Sequence, residues 1–166
     1  MSAYTTVFGS LAHYEKGRVE IIQDKARHYA FSNIFEVASQ AQPYEKTAVA
    51  KNLEYVVEVL RAEGRSDWFT AAHDEFAVVM DGHLELHLVK LDDPAAVVSP
   101  DAQGSVRLPG SPTGKKMGWI KLRRGHQALL PAGAAYQFIA EQPSVILLQT
   151  LQGPLTVEKW ADICEA

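Results

Sequence analysis

His73 and Glu75, two positions apart, are the residues of this 166-residue chain best placed to do chemistry. On a strand, alternation sends both side chains to one face. A non-haem iron site asks for two His and one carboxylate on a pocket wall with coordination positions left open, and His73-x-Glu75 supplies two of those three groups. The bland reading of the same pair is a hydrogen-bonded polar couple left in a pocket. Other candidates are weaker. His83 and His87 lie four residues apart in a run that alternates with Leu84, Leu86 and Leu88. At strand rise that is roughly 13 Å, too far to share one ion, so with Glu85 between them they read as a solvated strand face. His126 follows Gly125 at a turn and reads as a surface residue. Trp68, Trp119 and Trp160 fall in three dispersed segments, where core packing or interface anchoring is the default. There is no Gly-rich phosphate loop, nucleophile elbow or zincin helix.

The totals narrow the function classes. Hydrophobic residues make up 47% and charged residues 22%, ordinary for one domain with a real core, and a single domain over 1–166 is expected. The net charge is −4, with no basic stripe beyond Lys115-Lys116 and Arg123-Arg124, which argues against nucleic acid and anionic membranes as partners. Cys164 is alone, so an intrachain disulfide is excluded, and it reads as a packing group in a reducing compartment. The first residues lack a basic segment followed by an apolar one, and no run approaches the roughly twenty apolar residues of a membrane span. A cytoplasmic protein is expected.

The elements that must position these residues are mostly strands. Residues 1–17 mix Tyr4, Phe8 and Tyr14 with small polar residues and read as an arm that gains order by packing, with Tyr4 and Phe8 as interface candidates. Val19 to Ile22 is a short β-branched run, and 26–41 predicts a helix before Pro43, so arm and helix occupy 1–45. Asn52 to Glu63 has both helical spacing and strand-forming residues. Phe76 to Met80 is continuously apolar, as in a strand covered on both faces, and Asp81-Gly82 predicts a hairpin turn. Residues 92–118 hold DDP, SPD and LPGSPTG and predict a long surface insertion. Trp119 to Leu122, Ala128 to Leu130 and Ser144 to Thr150 read as further strands. In 156–166, Val157, Trp160, Ala161 and Cys164 have helical spacing, predicting a closing amphipathic helix with Trp160 as a third interface candidate. The succession of short strands and turns indicates a β-barrel or sandwich.

Two stretches, WFTAAHDEFAVVMDG and GHQALLPAGAAYQF, resemble the two signature motifs of the cupin superfamily, a double-stranded β-barrel (jelly roll) whose pocket usually holds a metal. Glu75 and Gly82 match the end of the first motif, and Gly125, Pro131 and Gly133 match the second. The family's His-x-His positions fall on Phe69 and Ala71, or on Trp68 and Thr70 at the longer spacing; its second-motif His falls on Tyr136 and its Asn on Ala140. Of the usual ligands only Glu75 survives. This register favours a strand, not a helix, ending near Gly64.

At longer range KARHYAFSNIFEVA, NLEYVVEVLRAEG, AHDEFAVVMDG, HLVKLDDP, RRGHQALLPAGAAYQF and VEKWADIC resemble the small subunit of the two-component, iron-dependent hydroquinone 1,2-dioxygenases of bacteria that degrade para-nitrophenol. The resemblance implies a heterotetramer of two small and two large cupin-like subunits. It implies Fe(II) on the large subunit, which opens hydroquinone with O2 to 4-hydroxymuconic semialdehyde, and no metal or catalytic residue in this chain. Two alternatives stay open. One is a self-sufficient cupin dioxygenase using His73, Glu75 and a borrowed ligand such as Tyr136; the other is a metal-free cupin that binds a small aromatic ligand.

Overall fold

A computed structural model describes residues 9–14, 20–21, 29–31 and 33–160. Its strands are β1 (Glu20–Ile21), β2 (Tyr29–Phe31), β3 (Lys46–Asn52), β4 (Tyr55–Arg65), β5 (Phe69–Ala71), β6 (Glu75–Asp81), β7 (His83–Leu91), β8 (Ser105–Arg107), β9 (Gly114–Arg123), β10 (Gln127–Leu130), β11 (Ala134–Leu151) and β12 (Thr156–Val157). Helix α1 spans Ile34–Gln40, a 3-10 turn occupies Pro94–Ala96, and Trp160, the last described residue, is helical.

Everything is organised on β11. Its 18 residues pair antiparallel with β4, β5, β6 and β7. The register shifts between Ala140 and Ser144, where Pro143 has no N–H to give to a ladder. Before the shift β11 runs beside β7, and after it beside β6, so one strand serves both walls of a curled cupin-type sheet. Leu60 and Ala62 of β4 and Ile146 and Leu148 of β11 alternate inward and meet Phe69, Leu86 and Phe138 in the core. Outside, α1 lays Phe35, Val37 and Ala38 on Val49, Val59 and Val145.

Several expectations change here. The helix expected over 26–41 is only its second half, because Tyr29–Phe31 pairs with β3 and Asn33 then caps α1 by accepting from Phe35 N at 3.0 Å and Glu36 N at 3.1 Å. Within 52–63, Asn52 ends β3, Leu53-Glu54 makes the turn, and Tyr55–Arg65 is strand, as the cupin register favours. β6 is not covered on both faces: Glu75, Ala77 and Val79 are buried, while Phe76, Val78 and Met80 are half-buried. Asp81-Gly82 is a tight turn but no hairpin, since β6 and β7 pair with β11 and not with each other. Residues 92–118 contribute a strand to the barrel, because Ser105–Arg107 pairs with β5, and Gly114 already opens β9. Where helix was expected from residue 156, Thr156–Val157 instead runs parallel to Lys46–Thr47. Residues 161–166, with the rest of that expected helix and Cys164, lie outside the described residues, as do Tyr4 and Phe8.

The corner at Gly82 is sterically fixed. Its φ is +75°, and a Cβ there would lie 2.2 Å from Ser144 Oγ, the hydroxyl that accepts from His83 N and donates to His83 O. Gly82→Ala is therefore expected to cost the chain about 2 kcal/mol or more in urea unfolding, from left-handed backbone strain plus displacement of Ser144.

Candidate functional site

The inward face of β6 begins at Glu75, which the alternation with Ala77 and Val79 drives into the apolar centre, where its side chain is 1% exposed. A buried carboxylate needs donors, and three hydroxyls converge on it. Ser105 and Thr150 donate to Oε1 at 2.6 and 2.7 Å, and Tyr136 donates to Oε2 at 2.6 Å. Hydrogen bonds to a charged acceptor contribute about 1.5–3 kcal/mol each, so both oxygens of this carboxylate are engaged by hydroxyl donors. Desolvation first, and then the neighbouring Glu75 charge, push the Tyr136 hydroxyl well above its ordinary range. Tyr136 thus stays a phenol that donates, the opposite of the phenolate a ferric ion would bind.

Beside this cluster lies a second pair that periodicity alone brings inward. Glu58 shares a face with Val56, Leu60 and Ala62, and Lys46 enters from β3. The Lys46 ammonium sits 4.7 Å from the centre of the Phe69 ring, 3.4 Å from the Tyr136 hydroxyl and 3.9 Å from Glu58 Oε2. Thr156 donates to Glu58 Oε1 at 2.6 Å. Desolvation raises the Glu58 carboxyl above its ordinary value, and Lys46 offsets part of that rise. The barrel centre therefore carries a cation of its own, an ammonium held on aromatic faces beside the buried Glu58 carboxylate. A cavity of about 510 Å³ opens at the barrel mouth over Lys46 and Phe69, rimmed by Arg65, Asp67, Arg107 and Leu155. Glu75 does not line it, so anything entering meets an ammonium and a ring and not the carboxylate.

The predicted residues are partly united. His73 is not on a strand but in the bend between β5 and β6, so it does not share a face with Glu75. It reaches Glu75 indirectly, through His73 Nε2 to Thr150 Oγ1 at 3.0 Å. Phe69 and Ala71 are buried in the core at the aligned His-x-His positions, and Phe69 packs against Tyr136 with ring centres 5.9 Å apart. His83 is exposed, and His87 pairs with Glu85 at 3.0 Å on the outer face. His126 closes its turn by accepting from Arg123 N at 3.2 Å. Trp160 is buried within this chain, its indole N–H donating to Glu158 at 2.9 Å. Sequence reasoning missed Lys46, Glu58, Ser105 and Thr150. Glu58 and Thr150 carried a signal, each being polar in phase with buried apolar neighbours; Ser105, in a loop-like stretch, carried none.

Iron does not fit this donor set. Two of the aligned ligand positions are hydrocarbon, the third is a hydroxyl that donates, and Glu75 already accepts from that hydroxyl and two others. Among the described residues no group of at least three His, Cys, Asp or Glu is placed to hold one ion.

No family model matches the chain, and no curated protein does. Solved structures do. One is a chain of hydroquinone 1,2-dioxygenase PnpCD, solved with Cd2+ and 4-hydroxybenzonitrile. It is 60% identical with a TM-score of 0.84, and the match covers 98% of this chain and 97% of that one. Another is a chain of hydroquinone 1,2-dioxygenase from Sphingomonas sp. TTNP3 with 4-hydroxybenzoate bound, at 55% identity and a TM-score of 0.86, covering 98% of both chains. A different chain of PnpCD, solved with Fe3+, shares the fold alone: 14% identity and a TM-score of 0.57 over 74% of this chain but only 32% of that longer one. Matching relatives of its own length nearly end to end at this identity, the chain belongs to the hydroquinone 1,2-dioxygenase family.

Proposed function

We propose that this chain is the small, metal-free subunit of an Fe(II)-dependent hydroquinone 1,2-dioxygenase. It assembles with a longer cupin chain that carries the iron and opens hydroquinone with O2 to 4-hydroxymuconic semialdehyde. The carrying observation is the substitution of the metal position: at 60% identity to a dioxygenase chain, the cupin ligand sites hold Phe69, Ala71 and a donating Tyr136, and Glu75 is bound by three hydroxyls. The arrangement of two small and two large chains belongs to this reading and rests on the family resemblance. A rigid barrel offers such a complex a supporting wall, since a catalytic constellation is only as well placed as the shell around it. The hydroxyls donated to Glu75 and the placing of His73 off the strand favour this reading over a self-sufficient dioxygenase.

Mixing the purified chain with the purified longer chain in ferrous buffer, and following the semialdehyde by its absorbance, tests this. Ring cleavage is expected only from the mixture. Full activity from the longer chain alone would remove this chain from the reaction.

A further inference from the structure

One face of the molecule is built unlike the rest. β9 pairs only with β7 among the described residues, and of its ten residues only Leu122 is buried. Met117, Trp119 and Ile120 are 51%, 49% and 43% exposed in succession. Around them residues 114–124 carry five Lys and Arg and no Asp or Glu, in a chain whose net charge is −4. Trp119 is not loose. His87 stacks on it with ring centres 6.1 Å apart, Lys121 Nζ lies 5.5 Å from its centre, and Glu85 fixes His87 at 3.0 Å. An exposed indole already held in place loses little freedom on binding, and Trp and Met are enriched where proteins meet. A long, exposed strand edge with such residues is otherwise an aggregation hazard, which like charge along the strand suppresses by repelling the same edge of another copy. The basic row thus disfavours a second copy and favours an unlike, acidic surface.

We propose that the β7–β9 edge, centred on Trp119 and flanked by Lys115, Lys116 and Lys121, is where an acidic face of the longer dioxygenase chain docks. This rests on the reading that such a partner exists. The test is titration of the full chain against the longer chain by sedimentation, with hydrogen exchange of residues 114–123 in the wild type. Trp119→Ala and the triple change K115E/K116E/K121E should each weaken association about tenfold or more, the triple change also flattening its salt dependence. Leu53→Ser, which alters another exposed apolar residue at 56% exposure, should not. In the wild type the partner should slow exchange along β9, a readout that needs no variant to fold. Wild-type association with unchanged exchange, and with both variants at wild-type affinity, overturns the docking surface and leaves the functional reading standing. No association of the wild type overturns both. A homodimer lost in Trp119→Ala, or adhesion to the longer chain unaffected by charge reversal, overturns the acidic partner as occupant.

Discussion

Glu75→Leu is expected to be the most damaging single change in the barrel, lowering the chain's unfolding free energy by about 3–5 kcal/mol. The side chain is 1% exposed, and its removal leaves the hydroxyls of Ser105, Tyr136 and Thr150 without their acceptor in an apolar centre. Tyr136→Phe deletes only one of those bonds and should cost about 1.5–3 kcal/mol. Urea titration of both variants checks the order. A Glu75→Leu chain as stable as the wild type would show that the carboxylate is not held as described.

Lys46→Met should be nearly as costly at neutral pH, about 3 kcal/mol, and its cost should depend on pH. Glu58 is desolvated, its carboxyl is raised above 4.5 in the folded chain, and Lys46 opposes that rise. A carboxyl with a raised folded pKa binds its proton more tightly folded than unfolded, so its contribution to stability falls as pH climbs from 4.5 through the raised value. Without Lys46 the rise is larger. The gap between wild type and Lys46→Met should therefore widen as pH rises above 4.5 and narrow in acid. Adding Glu58→Gln to Lys46→Met should recover part of the loss, because a neutral amide needs no cation. A gap independent of pH would mean that Lys46 acts by packing alone.

Much of this was legible in the sequence because it followed from period and turn chemistry. The spacing of Glu75 to Gly82 and of Gly125, Pro131 and Gly133 placed both barrel motifs, and Phe69, Ala71 and Tyr136, which stand at the aligned ligand positions, are all buried. What was not legible depends on long-range pairing. His73 and Glu75 look like strand neighbours until the bend between β5 and β6 separates them, and they meet only through Thr150, which is 75 residues from Glu75. Ser105 lies in a stretch rich in turn residues, and only its pairing against β5 carries it to the carboxylate. The Asp81-Gly82 turn has the chemistry of a hairpin, yet the register shift in β11 assigns its two strands to different walls. Lys46 is a charge at a core position, which period alone reads as solvent-facing.

The most direct test of a barrel that supports but does not hold iron is metal content measured per chain. This chain, purified from iron-replete medium, and its Tyr136→Phe and His73→Phe variants, each assembled with the longer chain, would be assayed for iron and for ring cleavage. The account predicts well under one iron per molecule of this chain alone. It predicts undiminished iron in both assembled variants, with at most a modest change in rate. One tightly bound iron per molecule of this chain, lost on changing Glu75 or His73, would contradict it.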